Sequence, residues 1–300
     1  YKVGGSSDRR VGFIDLAPTL LSIAGQKPPQ HMQGHAFMGT EEAPAQEFGY
    51  GFRGRMDERY DMVRSVVGKK FIYIRNYMPH KLYGQHVSYM FQTPTTQVWK
   101  KMFDEGKLNE SQSYFWKTKP PEELYDLDND PDEVNNLAKS RKHADILMSM
   151  RRAHLDHINQ IIDVGFLPEG EIHSRSAGSN PYDMARTDKY PYKRIFLAAD
   201  MASGLSPWAT KTLINYLRDK DSAIRYWGAM GLLMRGKKGL SMTGKYLEKA
   251  LHDDSPYVRV VAAETLGKFG NQDQVTQAVN ILGQIADPVK NGCFPSMLAM

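Results

Sequence analysis

The chain contains, at residues 62–76, the stretch Met62-Val-Arg-Ser-Val-Val-Gly-Lys-Lys-Phe-Ile-Tyr-Ile-Arg-Asn76. Two runs of β-branched and aromatic residues, 62–67 and 70–76, are separated in it by Gly68 and Lys69. Such a pattern is typical of two strands joined by a tight turn, so we predict a β-hairpin. A third strand is predicted at 123–127, because a turn-rich run, Asp128-Asn-Asp-Pro-Asp132, follows it directly.

The segment that follows the third strand predicts a helix. Ser140 is a residue type favoured at helix N-termini, and apolar residues then recur with helical spacing to about Ile162. The predicted buried face consists of Ile146, Met150, His154 or Leu155, Ile158, and Ile161 or Ile162. Hairpin, third strand and helix together predict a small α+β subdomain, interrupted by an aromatic-rich insert at 78–121 of undefined structure.

Upstream of the hairpin, a second segment predicts a helix, but the residues before it are too few to form a domain on which this helix could pack. The residues are Val11-Gly-Phe-Ile-Asp-Leu-Ala-Pro-Thr-Leu-Leu-Ser-Ile-Ala-Gly25, in which Asp15 is expected at the N-cap and Gly25 at the end. We interpret this helix as the edge of a larger α/β domain. Residues 26–45, rich in Pro, Gly, Gln and His, predict a loop.

Downstream, residue types recur at an offset of 34. The matched positions are Leu217 with Leu251, Asp219 with Asp253, Ile224 with Val258, Arg225 with Arg259, Ala229 with Ala263, Leu232 with Leu266, and Gly236 with Gly270. A repeat of this length predicts an α-solenoid built from helix pairs. A third copy starts near Ile285, so we expect the solenoid to be truncated. The shared Arg and Asp positions predict a ladder of ion pairs between repeats.

Composition restricts the class of protein. The 300 residues are 41% hydrophobic and 24% charged, without a run of the ~20 apolar residues that a membrane span needs. The single cysteine, Cys293, excludes an internal disulfide framework and a multi-cysteine zinc site. The net charge of +5 arises after residue 189, where 14 Lys and Arg face 9 Asp and Glu. We interpret this excess as a solvated helical face and expect no nucleic-acid partner, although anionic lipid or acidic polysaccharide would also fit.

An ordered set of motifs resembles the carboxy-terminal half of type I sulfatases of the alkaline phosphatase superfamily. It covers about residues 8–170, and the sulfamidase (heparan N-sulfatase)-like subgroup is the most similar. The motifs are Val11 to Gly25, Met32-Gln-Gly34, Met62-Val-Arg-Ser-Val66, Tyr73-Ile-Arg-Asn76, Glu123-Leu-Tyr-Asp-Leu127, Asp130-Pro-Asp-Glu133 and Asn136-Leu-Ala138. The repeats after about residue 190 resemble HEAT repeats.

The resemblance implies an α/β sulfatase carboxy-terminal region followed by an all-α HEAT-like solenoid. The expected parts are the tail of the catalytic domain at 1–47, an α+β subdomain at 48–170, a linker at 171–190 and the truncated solenoid at 191–300. It also implies a parent enzyme, periplasmic or secreted, that hydrolyses sulfate esters or N-sulfate groups of sulfated sugars or glycosaminoglycans. Its formylglycine and Ca²⁺ would belong to upstream residues, so we expect no catalytic or metal-binding residue in this chain and no activity of the chain alone.

Three local motifs imitate catalytic or metal sites. Cys293-Phe-Pro-Ser-Met297 follows the formylglycine motif for four residues but ends in Met instead of Arg, so we predict a core cysteine. Asp126, Asp128 and Asp130 have the alternating spacing of a calcium loop, whose later Gly and Glu positions are missing. We interpret them as a strand end, an Asx-type turn and a helix start at Pro131. His154 and His157 lack a third metal ligand at suitable spacing.

The stretch Gly49-Tyr-Gly-Phe-Arg-Gly-Arg-Met-Asp-Glu-Arg-Tyr60 predicts substrate contact. Arginine forks match sulfate oxygens, carboxylates accept hydrogen bonds from sugar hydroxyls, and tyrosines stack on pyranose rings. The candidate substrate-binding residues are Arg53, Arg55, Asp57, Glu58, Arg59 and, after the hairpin, His80. Among them Glu58 and Arg55 are preferred. A solvated loop with incidental ion pairs is the open alternative, and Arg64 and Arg75 are expected to support the sheet.

Two further functions compete with the sulfatase hypothesis. One is a non-catalytic scaffold that binds a protein or polymer through the solenoid. The other is a phosphodiester or phosphonate hydrolase of the same superfamily. Since repeats depend mainly on their neighbours, we also expect a chain without residues 190–300 to remain folded.

Overall fold

The computed structural model describes residues 4–300, which form two compact units that interleave along the chain. The first unit comprises the residues through Phe52, 64–75 and 122–161, and the second comprises 53–63, 76–121 and 162–300.

The strands are β1 Gly49–Arg53, β2 Val63–Val67, β3 Phe71–Asn76 and β4 Glu122–Asp126. The helices are α1 Leu16–Ile23, α2 Ser88–Phe91, α3 Pro94–Asp104, α4 Glu110–Ser113, α5 Ala144–Ile161, α6 Glu169–Arg175, α7 Pro181–Met184, α8 Tyr192–Ser203, α9 Thr210–Tyr216, α10 Ser222–Met234, α11 Gly236–Ala250, α12 Pro256–Phe269, α13 Gln272–Ile285, α14 Pro288–Asn291 and α15 Cys293–Ala299. Within the described range, none of these helices has the length and apolarity needed to cross a bilayer.

The sheet has the order β1-β2-β3-β4. β3 and β4 pair antiparallel with Tyr73 opposite Leu124, so the predicted hairpin and third strand are confirmed. β1 was not predicted, because its glycines are typical of a loop. A Cβ atom on Gly51 would lie only 2.6 Å from Ser65 Oγ on β2. Close approach of the two strands therefore requires glycine at this position.

Helix α5 covers the sheet. Its Leu147, Met150 and Ala153 pack with sheet residues in one cluster that also includes Val66, Tyr73 and Leu124. The predicted face is confirmed in part: Met150, His154 and Ile158 are buried, whereas Leu155 is exposed. Ser140 does not cap α5. It precedes a 3-10 turn, Arg141–His143, and its hydroxyl lies 2.9 Å from His143 Nδ1.

The amino-terminal helix α1 follows a 3-10 turn, Phe13–Asp15. Asp15 is the N-cap residue of α1, as predicted, but its carboxylate makes no capping hydrogen bond to α1 and instead accepts from the Gly12 and His35 N–H groups, at 2.8 and 2.7 Å. Gly25, with φ of +70°, follows the helix end as predicted. A set of large apolar side chains here is exposed: Phe13, Ile14, Leu16, Leu20 and Ile23.

The last part of the second unit is helical, as the repeat pattern predicts. α10 packs on α8, α9, α11 and α12, and α12 packs on α11 and α13. Arg225 donates to both carboxylate oxygens of Asp253, at 2.7 and 2.8 Å. Arg194 likewise donates to Asp219, at 2.6 Å. The predicted ladder of ion pairs is therefore confirmed in part, because Arg259, the second shared arginine, donates to the Asp253 and Asp254 carbonyls and not to a carboxylate.

The predicted linker at 171–190 contains most of α6 and all of α7. Within the second unit, Glu171 is buried and accepts hydrogen bonds from Arg175 and Ser222. Arg175 also donates to Asp221, at 2.9 and 3.0 Å. Burial alone would lower the pKa of Arg175, but the two carboxylates raise it. This segment is thus tied to the helical repeats by buried charges, and the domain boundaries drawn from sequence stay a prediction.

The insert at 78–121 forms α2, α3 and α4 and an aromatic cluster. Trp116 is buried at its centre, with ring centroids of Phe115, Trp99 and Phe91 at 4.9, 5.2 and 5.9 Å. Edge-to-face contacts of this kind stabilise more than the apolar area alone. The sequence indicated the aromatic content but not this arrangement.

Candidate functional site

The predicted substrate-binding residues of 53–59 lie on a tight turn of the second unit. Met56 and Arg59 exchange both backbone hydrogen bonds, at 2.8 and 2.9 Å. Asp57 has a positive φ of 50°, a conformation that Asp tolerates better than most residues. The side chains of Asp57 and Glu58 are consequently exposed at the apex, while the arginines of the turn are half-buried.

A buried charge cluster holds the base of this turn. Lys119 Nζ lies 2.9 Å from Asp61 Oδ2, and both side chains are almost completely excluded from solvent. Lys119 also donates to the Lys81 carbonyl at 3.0 Å. Arg53 Nε lies 3.6 Å from the same Asp61 oxygen, and Arg53 Nη2 donates to the Tyr83 carbonyl at 2.8 Å. Arg53 therefore supports the turn, and Asp61 partly compensates its charge, although the buried Nε of Arg53 has no hydrogen-bond partner among the described residues.

Arg55 is occupied by a carboxylate of the same unit. Its Nε donates to Glu169 Oε2 at the start of α6, and its guanidinium lies 5.1 Å from the centre of the Tyr60 ring. Both side chains of this ion pair are about four-fifths buried. Such partners orient the guanidinium and neutralise its charge. A role of Arg55 in substrate binding stays a prediction, but the observed contacts favour a structural role.

Arg59 differs from the other two arginines. No carboxylate within the described residues lies within ion-pair distance of it, and its buried Nε, like that of Arg53, has no hydrogen-bond partner there. It also lies close enough to Arg53 that its charge lowers the Arg53 pKa, although burial is the larger cause. An arginine in this state has positive charge and unused N–H donors, which suit an oxyanion.

Glu58 is ionised at the apex of the turn. Its own N–H and the N–H of Ser88 lower its pKa, and the nearby His86 adds to the effect. Glu58 Oε1 accepts from the Ser88 N–H and lies 3.7 Å from His86 Nδ1. The turn is thereby connected to the start of α2, and the exposed carboxylate can accept hydrogen bonds from hydroxyl groups.

His80 lies in a different environment from the turn. Its pKa is lowered to about 3, mainly by burial and also by the charges of Lys81, Lys268 and Lys119, against the opposing effect of Glu264. Neither ring nitrogen has a hydrogen-bond partner among the residues that the structure describes. The imidazole is therefore neutral at physiological pH. Its predicted contact with substrate stays a prediction, and it does not act there as a titrating group.

The structure shows the contacts of the three motifs that imitate catalytic or metal sites. Cys293 is exposed at the start of α15, so the predicted core cysteine is wrong. Asp126 accepts from the Asp128 N–H and the Asn129 amide, at 3.2 and 2.9 Å, which confirms the turn, although no helix starts at Pro131. His157 stacks on Tyr50 at 3.7 Å. Between residues 4 and 300, no group of three or more His, Cys, Asp or Glu side chains has the arrangement to hold a metal ion.

Sequence reasoning missed the residues that position the turn. Asp61, Lys119 and Glu169 are charged side chains next to turns or loops, where solvated charges are ordinary. Their partners are 58 and 114 positions away along the chain. The only available signal was an acidic residue directly before the first strand of the hairpin.

Comparison with known proteins gives two kinds of match. The HEAT repeat family matches residues 245–272. Two proteins of Formosa agariphila, each described as an ulvan-active sulfatase, match part of the chain. The first is 39% identical over 168 residues, 56% of this chain and 28% of the relative. The second is 28% identical over 151 residues, 48% of this chain and 28% of the relative. The chain therefore spans less than a third of these relatives.

Two solved structures also match about half of the chain. One is from Bacteroides thetaiotaomicron, with a provisional sulfatase assignment, and is 22% identical with a TM-score of 0.31, covering 49% of this chain and 24% of its own. The other is described as a complex with its substrate D-glucosamine-2-N,6-O-disulfate and is 18% identical, also with a TM-score of 0.31, covering 49% and 23%. These scores are too low to establish a shared fold. The sequence matches support a sulfatase carboxy-terminal region, and the sulfamidase-like subgroup stays a prediction.

Proposed function

We propose that this chain is the carboxy-terminal part of a sulfatase that removes sulfate from sulfated sugars. The observation that carries the proposal is the 39% identity to an ulvan-active sulfatase over 168 residues. Ulvan is therefore the first substrate to test. Sulfate esters or N-sulfate groups of glycosaminoglycans are the second, because of the sulfamidase-like motifs. The resemblance further suggests a periplasmic or secreted parent.

The formylglycine and Ca²⁺ of such an enzyme would be held upstream. The described residues do not fit either group, since their acidic side chains form no metal-binding cluster and the motif of the exposed Cys293 lacks the required arginine. We assign no bond-breaking step to this chain. The exposed apolar side chains around α1 suit contact with a preceding α/β domain, which would remove them from water.

The role proposed for this chain is recognition of the substrate by the turn at 53–60. Arg59 is the sulfate-binding residue, because it alone of the three arginines has no carboxylate partner in the structure. Glu58 accepts hydrogen bonds from sugar hydroxyls. Asp61, Lys119 and Glu169 position the turn. The preferred pair from sequence, Glu58 and Arg55, is thereby replaced by Glu58 and Arg59.

The full-length protein, expressed with its maturation enzyme, should release inorganic sulfate from ulvan. Ion chromatography would follow sulfate release from ulvan, heparan sulfate and chemically desulfated ulvan, with a phosphodiester and a phosphonate monoester as parallel substrates. Release from a sulfated polymer but not from the phosphorus esters supports the proposal. Hydrolysis of the phosphorus esters alone would assign the other activity, and no hydrolysis of any substrate would favour a non-catalytic scaffold.

Replacing Arg59 by Ala in the full-length enzyme should raise KM for the sulfated substrate by about 10- to 100-fold, since a charge-assisted hydrogen bond contributes about 1.5–3 kcal/mol. Arg59→Lys should restore only part of the loss, because lysine lacks the planar fork. Arg152→Ala, which changes an exposed arginine of the first unit, is the matched control. An unchanged KM in Arg59→Ala, with an unchanged melting temperature, would remove the turn from the substrate site.

A further inference from the structure

Helix α11 has an unusual charge for a helix in a packed array. Its sequence is Gly-Lys-Lys-Gly-Leu-Ser-Met-Thr-Gly-Lys-Tyr-Leu-Glu-Lys-Ala at 236–250, with four lysines and one acidic residue. The buried side of the helix contains Leu240, Thr243 and Leu247. All four lysines are exposed: Lys237, Lys238, Lys245 and Lys249. The helix therefore presents a basic face to solvent, which we call the α11 lysine face.

The positive charge of this face is not neutralised. No carboxylate of the described residues lies within 4.0 Å of any of the four lysine Nζ atoms. The acidic residue of the helix, Glu248, instead accepts a hydrogen bond from Gln274 of α13, at 2.6 Å. Many other exposed lysines of this chain have a carboxylate nearby, for example Lys100 with Asp104 at 2.5 Å. Four unpaired cations on one helix create a local field that attracts anions.

The lysines are spaced for an extended ligand. Lys238, Lys245 and Lys249 stand at i, i+7 and i+11, which places them on one side of an α-helix. At a rise of about 1.5 Å per residue they span roughly 17 Å along the helix axis. Lys237 flanks the row. A single small anion would contact at most one or two of them, whereas a polyanionic chain along the helix would contact all four.

A groove of about 530 Å³ opens next to this row. It is lined by Lys237 and Lys245 together with Ser241, Met242, Phe269 and Gln274. Hydroxyl and amide groups suit sugar hydroxyls, and a half-buried phenyl ring and a methionine suit the apolar faces of pyranose rings. The combination of cations with neutral polar and apolar groups favours a charged carbohydrate over a ligand recognised by charge alone.

We infer that the α11 lysine face and its groove form a non-catalytic binding site for a sulfated polysaccharide chain. The identity of the ligand rests on the proposed sulfatase function. The site would hold a polymeric substrate on the solenoid while individual sulfate groups reach the catalytic region. Its occupancy should raise the apparent affinity for a polymer without changing the chemistry at a single sugar.

Binding is tested with dextran sulfate against uncharged dextran of the same length, by isothermal titration calorimetry on the full-length protein. The test variant carries Lys237→Gln, Lys238→Gln, Lys245→Gln and Lys249→Gln together. The control variant removes four exposed lysines of the first unit, Lys27→Gln, Lys69→Gln, Lys139→Gln and Lys142→Gln, with the same change in net charge. We expect the test variant to bind dextran sulfate about tenfold or more weakly than wild type, because several small ionic contacts are lost together, and the control to bind nearly as wild type.

Equal weakening in the two variants would overturn the site, because net charge alone would then explain binding. A duplex DNA oligomer or phosphatidylserine vesicles would overturn the carbohydrate assignment if they bound wild type as tightly as dextran sulfate and lost as much affinity in the test variant.

Measurements of turnover separate this proposal from the sulfatase proposal. The test variant should show a raised KM for sulfated polymer and an unchanged KM for a monosaccharide sulfate. Intact binding of dextran sulfate without any sulfate release would reject the sulfatase activity and leave the binding site standing.

Discussion

A chain that ends at residue 189 should fail to accumulate as soluble folded protein. Phe166 is completely buried in the second unit, with the rings of Tyr77 and Phe196 at 4.9 and 5.3 Å. Trp227 donates to the Phe166 carbonyl at 2.8 Å. The truncation removes Phe196 and Trp227, so that Phe166 and Tyr77 become exposed to water. Loss of aromatic burial on this scale costs several kcal/mol, comparable with the whole stability of a domain.

The same truncation removes partners from several buried or half-buried charges, although Arg175 and Glu171 keep each other. Glu171 loses Ser222, and Arg175 loses Asp221. Lys81, in the insert at 78–121, loses its ion-pair partner Glu264, whose Oε1 lies 3.9 Å from Lys81 Nζ. Removing a partner from a poorly solvated charge is destabilising, because the solvent does not replace the lost interaction in full. The effects add to the exposure of Phe166.

Soluble yield, circular dichroism melting and limited proteolysis of the truncated chain would check this expectation. Residues 190–300 co-expressed as a separate chain provide the control, since they should restore solubility if the missing contacts are the cause. A truncated chain that is soluble and melts cooperatively near the temperature of the intact chain would contradict the structure. It would support the expectation from the repeat pattern that the solenoid is dispensable.

The expectation that residues 190–300 can be deleted did not include contacts between distant segments of the chain. Local patterns were sufficient for the hairpin, β4, α5 and the helix pairs, because strand and helix periodicity can be read within a short window. β1 was missed because Gly51 is required by the close approach of Ser65, a residue of the neighbouring strand. No periodicity in sequence indicates such an approach.

In the candidate site, too, some features follow from the local sequence and others depend on contacts with distant segments. The stretch 49–60 was predicted as a loop that contacts substrate, from its Gly, Arg and acidic residues, and the structure places Gly49–Arg53 of it in β1. Which arginine is available for a ligand depends on Glu169, 114 positions away from Arg55, and on the absence of any such partner for Arg59. A charged residue in a loop gives no local signal of whether it is solvated or paired. The assignment of Arg55 and Arg59 therefore required the three-dimensional contacts.

Replacing Asp61 by Ala should destabilise the protein by about 3–5 kcal/mol, the usual effect of removing one partner from a buried ion pair. Lys119, whose side chain is 1% exposed, would lose the Asp61 carboxylate at 2.9 Å and keep the weaker hydrogen bonds to the Lys81 and Leu82 carbonyl oxygens, at 3.0 and 3.5 Å. The Met62 N–H would also lose its acceptor, Asp61 Oδ1 at 2.9 Å. For a unit of this size we expect the melting temperature to fall by about 10 °C.

Two further variants distinguish a buried unpaired charge from general sensitivity of the turn. Asp57→Asn removes the charge of an exposed carboxylate four residues away, keeps a residue type that tolerates the positive φ of this position, and should alter stability by about 0.5 kcal/mol or less. Asp61→Leu combined with Lys119→Met removes both charges and should recover much of the loss, because an apolar pair of similar volume avoids the desolvation cost. Differential scanning fluorimetry on all three proteins gives the comparison. If the double variant were as unstable as Asp61→Ala, the hydrogen bond from Met62 and the contact with Arg53 would account for the loss, and the unpaired lysine would not.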